Sequence, residues 1–146
     1  MKNLRSFCLL FTIPIAMRAQ KPVINHIALS VQNLQKSAAF YQDLIGLDSI
    51  PEPFRDGRHA WFSIGPKSHL HLIQNVSGPF DHPKNHHLCF SVPSVETFVA
   101  KLNKAAIPYE DVAGKPQTVQ VRVDGVKQIY FKDPDGYWIE INDARE

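Results

Sequence analysis

Apolar and polar residues alternate over several short stretches of this chain, a pattern typical of β-strands that are buried on one face only. The first stretch, 23–31, places Ile27 and Leu29 on one face and His26 and Ala28 on the other. The same pattern predicts three further short strands at 47–51, 59–64 and 69–74.

A helical period follows the first strand. Asn33 is a favourable N-cap for a helix that runs to about residue 45, and Gly46 is its natural end. Apolar residues recur there at helical spacing, at Leu34, Ala38, Tyr41 and Ile45. Residues 22–75 are therefore predicted to form a βαβββ module.

The pattern begins again after a linker at 76–84 that contains glycine and prolines. The sequence HLCFSV at 87–92 repeats HIALSV at 26–31, 61 residues later. Ser94 stands where Asn33 stood, as the cap of a second helix. Strands are predicted in this second module, 85–143, at 109–112, 126–132 and 137–142. Residues 118–123 also alternate, which predicts either a further strand or a loop arm.

The duplication predicts the fold class, an α+β protein. Two βαβββ modules form a single domain over 22–143, with a curved mixed sheet and both helices on its outer face. Each helix can cover one face of its sheet, so the side that carries Ile27 and Leu29, or Leu88 and Phe90, should be buried. The opposite face is left to line a cavity.

Four side chains that can bind protons or act as ligands lie on that opposite face. His26 and His87 lie in the first strands of the two modules, and His71 and Glu140 lie at matching places in the last strands. Glu140 stands mid-strand between Ile139 and Ile141, where a carboxylate is costly to bury unless it is paired. A pseudo-twofold relation between the modules would bring the four together.

Three imidazoles and one carboxylate make a suitable ligand set for a divalent metal ion such as Zn, Ni, Fe, Mn or Co. Any one histidine taken alone is more simply a structural strand residue. The shared face and the matching positions favour the metal site. His69 is either a residue behind the ligands or an exposed strand residue, and Cys89 is either a small buried hydrophobe or a reactive thiol.

The first nineteen residues resemble a secretory signal peptide, because Lys2 and Arg5 precede an apolar run at 7–17 and Ala19 precedes the expected cleavage. Cleavage predicts a periplasmic or secreted protein, and an uncleaved leader predicts a cytoplasmic one. The run is too short to span a membrane. The remaining chain has 13 Lys and Arg against 14 Asp and Glu, which does not favour nucleic-acid binding. It retains only Cys89, so no intrachain disulfide can form.

The chain resembles the vicinal-oxygen-chelate superfamily, which includes glyoxalase I, fosfomycin-resistance proteins, methylmalonyl-CoA epimerases and extradiol dioxygenases. The resemblance covers about residues 22–143. It rests on four motifs: HIAL at 26–29, FY with LIGL at 40–47, HLCFSV at 87–92 and DPDGYWIE at 133–140.

The resemblance implies a metal-dependent enzyme in which His26, His87 and Glu140 are metal ligands. It also implies a glyoxalase I-like lyase or isomerase, which acts on a small oxygen-chelating substrate through an enediolate, with Glu140 as ligand and general base. Bacterial-type glyoxalase I has Glu where this chain has His71, and the epimerases have Gln. Family members enclose the metal either within one chain or across a homodimer.

Two other functions remain open. The first is an extradiol-type Fe(II) dioxygenase, in which His26, His87 and Glu140 would be the iron ligands and His71 would crowd the site. The second is a metal-free small-molecule binding protein like the bleomycin-resistance proteins. Retention of the whole ligand set argues against the second.

Overall fold

A computed structural model describes residues 21–75 and 81–145, which form two modules of like topology. The first contains strand β1 (His26–Val31), helix α1 (Leu34–Ala39) with a π-helical segment (Phe40–Ile45), and strands β2 (Ser49–Ile50), β3 (His59–Gly65) and β4 (Ser68–Gln74). The second contains β5 (His87–Ser91), α2 (Val95–Lys104), β6 (Gln120–Val121), β7 (Lys127–Lys132) and β8 (Trp138–Asn142). The α+β class and the doubled βαβββ arrangement are confirmed.

The described residues form two four-stranded mixed sheets with matching strand orders, β1-β4-β3-β2 and β5-β8-β7-β6. The first strand of each module pairs in parallel with the last, and the last pairs antiparallel with the strand before it. Strands β1 and β5 therefore occupy corresponding edges. His26 and His87 each lie at the first position of such an edge strand.

Both helices begin where the caps predict. The side chain of Asn33 accepts a hydrogen bond from the backbone N–H of Lys36, and that of Ser94 accepts one from Thr97. Gly46 ends the first helical region with φ of 92°, a left-handed conformation that glycine adopts without strain.

The core lies on the helix-covered faces of the sheets, as predicted. Its members include fully buried Leu70, Leu72, Ile139 and Ile141. Phe40 of the π-helical segment lies 6.2 Å from Phe131 of β7, measured between ring centroids, so side chains of both modules meet in one core. Among the described residues, no helix covers the opposite faces, which carry His26 and Glu140. These are the open faces of the two sheets.

Two aspartates of the β7–β8 turn bind the first module. Asp133 accepts a hydrogen bond from the hydroxyl of Tyr41, and Asp135 accepts bonds from the hydroxyl of Ser37 and the backbone N–H of Gln32. Both carboxylates are buried. The turn is therefore also a clamp between modules.

The predicted strand at 109–112 is wrong. Only Glu110 makes isolated bridges there, to Pro116 and Tyr130, and the fourth strand of the second sheet is β6, within the ambiguous stretch 118–123. The chain turns back at Gly114, whose φ is 87°, and Pro116 has no N–H to extend a ladder. The predicted leader lies outside the described residues, as do 76–80 of the predicted linker. Within the described part, no helix is long and apolar enough to cross a membrane.

Candidate metal centre

The two predicted ligands of the first module are neighbours on its open face. His71 of β4 pairs with Ala28 of β1, two residues after His26. The imidazoles of His26 and His71 stack with centroids 4.4 Å apart and planes within 8°. This places two candidate ligands side by side at the edge of the sheet.

The ring of His26 is held by its neighbour in sequence. Its Nδ1 lies 2.8 Å from Oδ1 of Asn25. Since the amide oxygen can only accept, Nδ1 carries the proton and a neutral ring keeps its lone pair on Nε2. A hydrogen-bonded Nδ1 with an available Nε2 is the usual arrangement of a metal-binding histidine.

His71 is enclosed between two rings. His26 covers one side, and Trp61 stacks on the other with centroids 3.8 Å apart. Burial lowers the pKa of His71, as do the nearby imidazoles of His26, His69 and His59. Its Nε2 is buried without a hydrogen-bond partner among the described residues. A neutral imidazole with an unsatisfied nitrogen fits a metal ligand.

The two predicted ligands of the second module are in direct contact. Nε2 of His87 lies 3.1 Å from Oε2 of Glu140. Nδ1 of His87 donates to the backbone carbonyl of Lys84 at 2.8 Å, which orients the ring toward the carboxylate. His87 and Glu140 therefore form a second preorganised pair.

Glu140 is held by three further side chains. The Tyr130 hydroxyl donates to Oε2 at 2.6 Å, the Asn142 amide donates to Oε1 at 2.9 Å, and the Cys89 thiol donates to Oε1 at 3.4 Å. Burial alone would raise the pKa of Glu140, but these hydrogen bonds and nearby His87 outweigh it and lower the pKa. Glu140 is therefore a buried carboxylate that is ionised at neutral pH.

The surroundings of His69 and Cys89 bear on the alternative roles predicted for each. His69 lies on the open face with its ring 6.1 Å from that of His71, so it belongs to the same aromatic cluster. Cys89 is exposed rather than the small buried hydrophobe that was the simplest expectation. Although the residue as a whole is exposed, its thiol lies against Glu140. Desolvation of the thiol, the charge of Glu140 and the hydrogen bond to it raise the pKa of Cys89 to about 12, which opposes a reactive thiolate.

The four predicted ligands therefore lie in two pairs, one from each module. The described residues of a single chain contain no group of three or more His, Cys, Asp or Glu side chains able to hold one metal ion. The donor types nevertheless fit a divalent transition metal: two imidazoles whose Nδ1 is already engaged, one neutral unpartnered imidazole and one ionised carboxylate. Each pair is thus a half-site.

The sequence analysis did not identify several residues of the site, although strand pairing could have located two of them. In a tight hairpin, residues equidistant from the turn face each other across the strands. Tyr130 and Glu140 are such a pair around the turn at 134–136, so Tyr130 could have been placed beside Glu140. Trp61 and His71 are an equivalent pair around the turn at 65–67, so Trp61 could have been placed in the same way. Asn25 offered no comparable signal, because its contact with His26 depends on side-chain rotamers.

Two βαβββ modules, each with a pair of candidate ligands on its helix-free face, define the class of protein as an α+β fold of duplicated modules. The family model described as "Glyoxalase/Bleomycin resistance protein/Dioxygenase superfamily" matches residues 23–141, and the chain belongs to that superfamily.

Three comparisons show the range of its relatives. The chain is 28% identical over 126 residues to an uncharacterised protein of Escherichia coli, YaeR, covering 81% of this chain and 93% of that one. It is 25% identical over 157 residues to lactoylglutathione lyase of Pseudomonas aeruginosa, covering 86% and 84%. A glyoxalase/dioxygenase structure from Nostoc punctiforme aligns with a TM-score of 0.68 at 24% identity, over 95% and 99% of the two chains.

Proposed function

We propose that this protein is a metal-dependent lyase or isomerase of the glyoxalase I type, acting on a small molecule that presents two adjacent oxygens. His26, His71, His87 and Glu140 would hold one divalent metal ion. Membership of a superfamily that contains many enzymes supports an enzymatic role. The 25% identity to lactoylglutathione lyase supports this reaction class.

The observation that carries the proposal is the environment of Glu140. A carboxylate that is 5% exposed would be costly to ionise without partners, yet three donors and the imidazole of His87 surround it. A structural role alone would be served equally well by an apolar residue at this position. The arrangement preserves a charged base beside a histidine on an open face.

The division into half-sites supports assembly between two chains. Both half-sites begin at edge strands, β1 and β5, whose free edges can pair with another copy of the chain. In a symmetric pair, His26 and His71 of one chain would face His87 and Glu140 of the other. Twofold symmetry would then give two equivalent metal sites.

A bound metal would supply Lewis-acid polarisation of the two adjacent substrate oxygens. Glu140 would take the proton from the carbon that bears the hydroxyl group and return it to the former carbonyl carbon. The hydroxyl proton would pass to the former carbonyl oxygen, so that the isomerisation is balanced. Tyr130 and Asn142 would keep the carboxylate oriented during both transfers. His87 is oriented by Lys84 and would keep its ring in place beside Glu140.

One observation favours an alternative. The ring of His71 is confined between His26 and Trp61. A ring that stays in this stack and does not bind the metal ion would leave His26, His87 and Glu140 as the ligands. Two histidines and one carboxylate are the ligand set of non-haem Fe(II) oxygenases. The alternative function is an extradiol-type dioxygenase.

Elemental analysis of the purified protein, followed by two assays, tests both functions. We expect about one divalent metal per chain, with turnover of methylglyoxal in the presence of at least one thiol from a panel. Oxygen uptake with catechols, by protein loaded anaerobically with Fe(II), would support the dioxygenase function and contradict the lyase function. Protein that binds no divalent metal would contradict both.

A further inference from the structure

Trp61 lies on the open face of the first sheet, directly against His71. The two residues are paired across β3 and β4, so the register of the strands brings their rings together. The ring planes are within 3° of parallel. The indole is therefore part of the surface that surrounds the first half-site.

The indole N–H of Trp61 is buried and has no hydrogen-bond partner among the described residues. Nε2 of His71 in the same stack is also without one. A buried donor without an acceptor is costly, and most buried polar groups in proteins are paired. The described residues therefore leave two buried nitrogens on adjacent rings without partners, which favours the binding of an external molecule or ion beside them.

The other tryptophan of the chain shows the ordinary arrangement. The indole N–H of Trp138 donates to the backbone carbonyl of His82 at 2.9 Å. Among the described residues, the lack of a hydrogen-bond acceptor is therefore specific to the indole of Trp61, at the first half-site, and is not shared by Trp138.

Other rings hold the indole of Trp61 in position. Phe54 meets it edge-on at 6.1 Å and His69 lies 6.3 Å away, in addition to the stack on His71. These aromatic contacts fix the ring without using its N–H. Because an indole N–H can donate but cannot accept, the missing partner must be an acceptor atom.

We propose that Trp61 is a substrate-positioning residue whose indole N–H donates a hydrogen bond to an oxygen of the small molecule chelated at the metal. The proposal rests on the proposed function, because it takes His71 as a metal ligand. It restricts the substrate to molecules that present a carbonyl, enolate or carboxylate oxygen at this point. A molecule that presents an N–H or ammonium there would place a second donor against the indole N–H. Neither donor would then have an acceptor, and the molecule would be rejected.

Nuclear magnetic resonance of protein labelled with ¹⁵N in its indoles tests this with acetohydroxamate, a probe that has two adjacent oxygens. Zinc binding is measured first, by calorimetry. Trp138→Phe assigns the two indole signals. On adding acetohydroxamate to the zinc-loaded wild type, we expect the Trp61 proton signal to move downfield and its exchange with water to slow.

Trp61→Phe keeps an aromatic ring against His71 and removes the donor. We expect this variant to bind zinc as the wild type does and to bind acetohydroxamate about three- to tenfold more weakly, the typical effect of one lost hydrogen bond. If zinc does not bind the wild type, the proposed function fails and this inference fails with it. If zinc binds, the inference alone is overturned by a Trp61 signal that does not move downfield, by unchanged hydroxamate affinity in Trp61→Phe, or by no hydroxamate binding.

Discussion

The hydroxyl of Tyr41 donates a hydrogen bond of 2.8 Å to the carboxylate of Asp133, which lies 92 residues further along the chain. Burial raises the pKa of Tyr41, and the nearby carboxylate of Asp133 raises it further. Burial also raises the pKa of Asp133 despite the hydrogen bonds that it accepts. The contact joins the first helical region to the final hairpin.

Tyr41→Phe should lower the free energy of unfolding by about 1–3 kcal/mol, because Asp133 would lose a donor while remaining buried. A carboxyl whose pKa is raised by folding contributes stability when protonated, and that contribution is lost as the pH rises through its folded pKa. Removal of the Tyr41 donor would destabilise the ionised form of Asp133 further. Denaturant unfolding should therefore show a larger loss at pH 7 than near pH 4.

Tyr109→Phe is the matched control for that measurement. Tyr109 is also buried, and its hydroxyl makes no hydrogen bond within the part of the chain that the structure describes. Its replacement should change the free energy of unfolding by less than about 0.5 kcal/mol. Equal losses in the two variants would show that the Tyr41 hydroxyl contributes nothing specific.

A mixing experiment tests whether metal sites form between chains. A variant with His26→Ala and His71→Ala lacks one half-site, and a variant with His87→Ala and Glu140→Ala lacks the other. Neither should retain zinc alone. Co-refolded in equal amounts, they should form mixed dimers that hold about one zinc ion each, because one of two symmetric sites is then intact. Mixed dimers that hold no zinc would place the four ligands within one chain.

Glu140→Gln should abolish most turnover without unfolding the protein. The amide oxygen can still accept the hydrogen bond from Asn142, and the amide N–H can donate to the hydroxyl of Tyr130, which can also accept. The amide cannot take up a proton at neutral pH. We expect kcat to fall by about 10²- to 10⁴-fold, the usual contribution of a general base, with an unchanged circular dichroism spectrum. Glu96→Gln, at an exposed carboxylate paired with Lys127, is the control and should keep full activity. Wild-type turnover in Glu140→Gln would exclude Glu140 as the base.

Gly46→Ala should lower the free energy of unfolding by about 1–2 kcal/mol, because a Cβ is disfavoured in the left-handed conformation. Among the described residues other than its two chain neighbours, no atom lies within 4 Å of the position that this Cβ would take, so the loss would come from the local backbone alone. Gly65→Ala, at an ordinary φ with Ser68 3.8 Å away, should change stability by less than about 0.5 kcal/mol. Thermal unfolding of both variants measures the difference.

The internal repeat made most of the fold predictable. The match between 26–31 and 87–92 defined the two modules, and strand alternation placed His26, His71, His87 and Glu140 on the helix-free faces. These features follow from local periodicity, which a sequence displays directly. Whether two faces meet within one chain or between chains depends on packing that no local pattern encodes.

Long-range polar contacts were the main features that the sequence could not predict. Asp133 and Asp135 looked like ordinary turn residues, yet their carboxylates bind Tyr41 and Ser37 of the first module. The predicted strand at 109–112 is reduced to single bridges from Glu110, because the chain turns back at Gly114 and Pro116 has no N–H to extend a ladder. Strand β6 pairs with β7 in its place.

The clamp at Asp133 and Asp135 has a consequence for synthesis of the protein. Ribosomes release the N-terminal part first, at about 5–20 residues per second, so helix α1 emerges seconds before the hairpin that satisfies Tyr41 and Ser37. Contacts this distant in sequence also slow the closing of the fold. Nascent chains stalled before residue 133 should accordingly be open to proteolysis within the first module, whereas full-length chains should resist it.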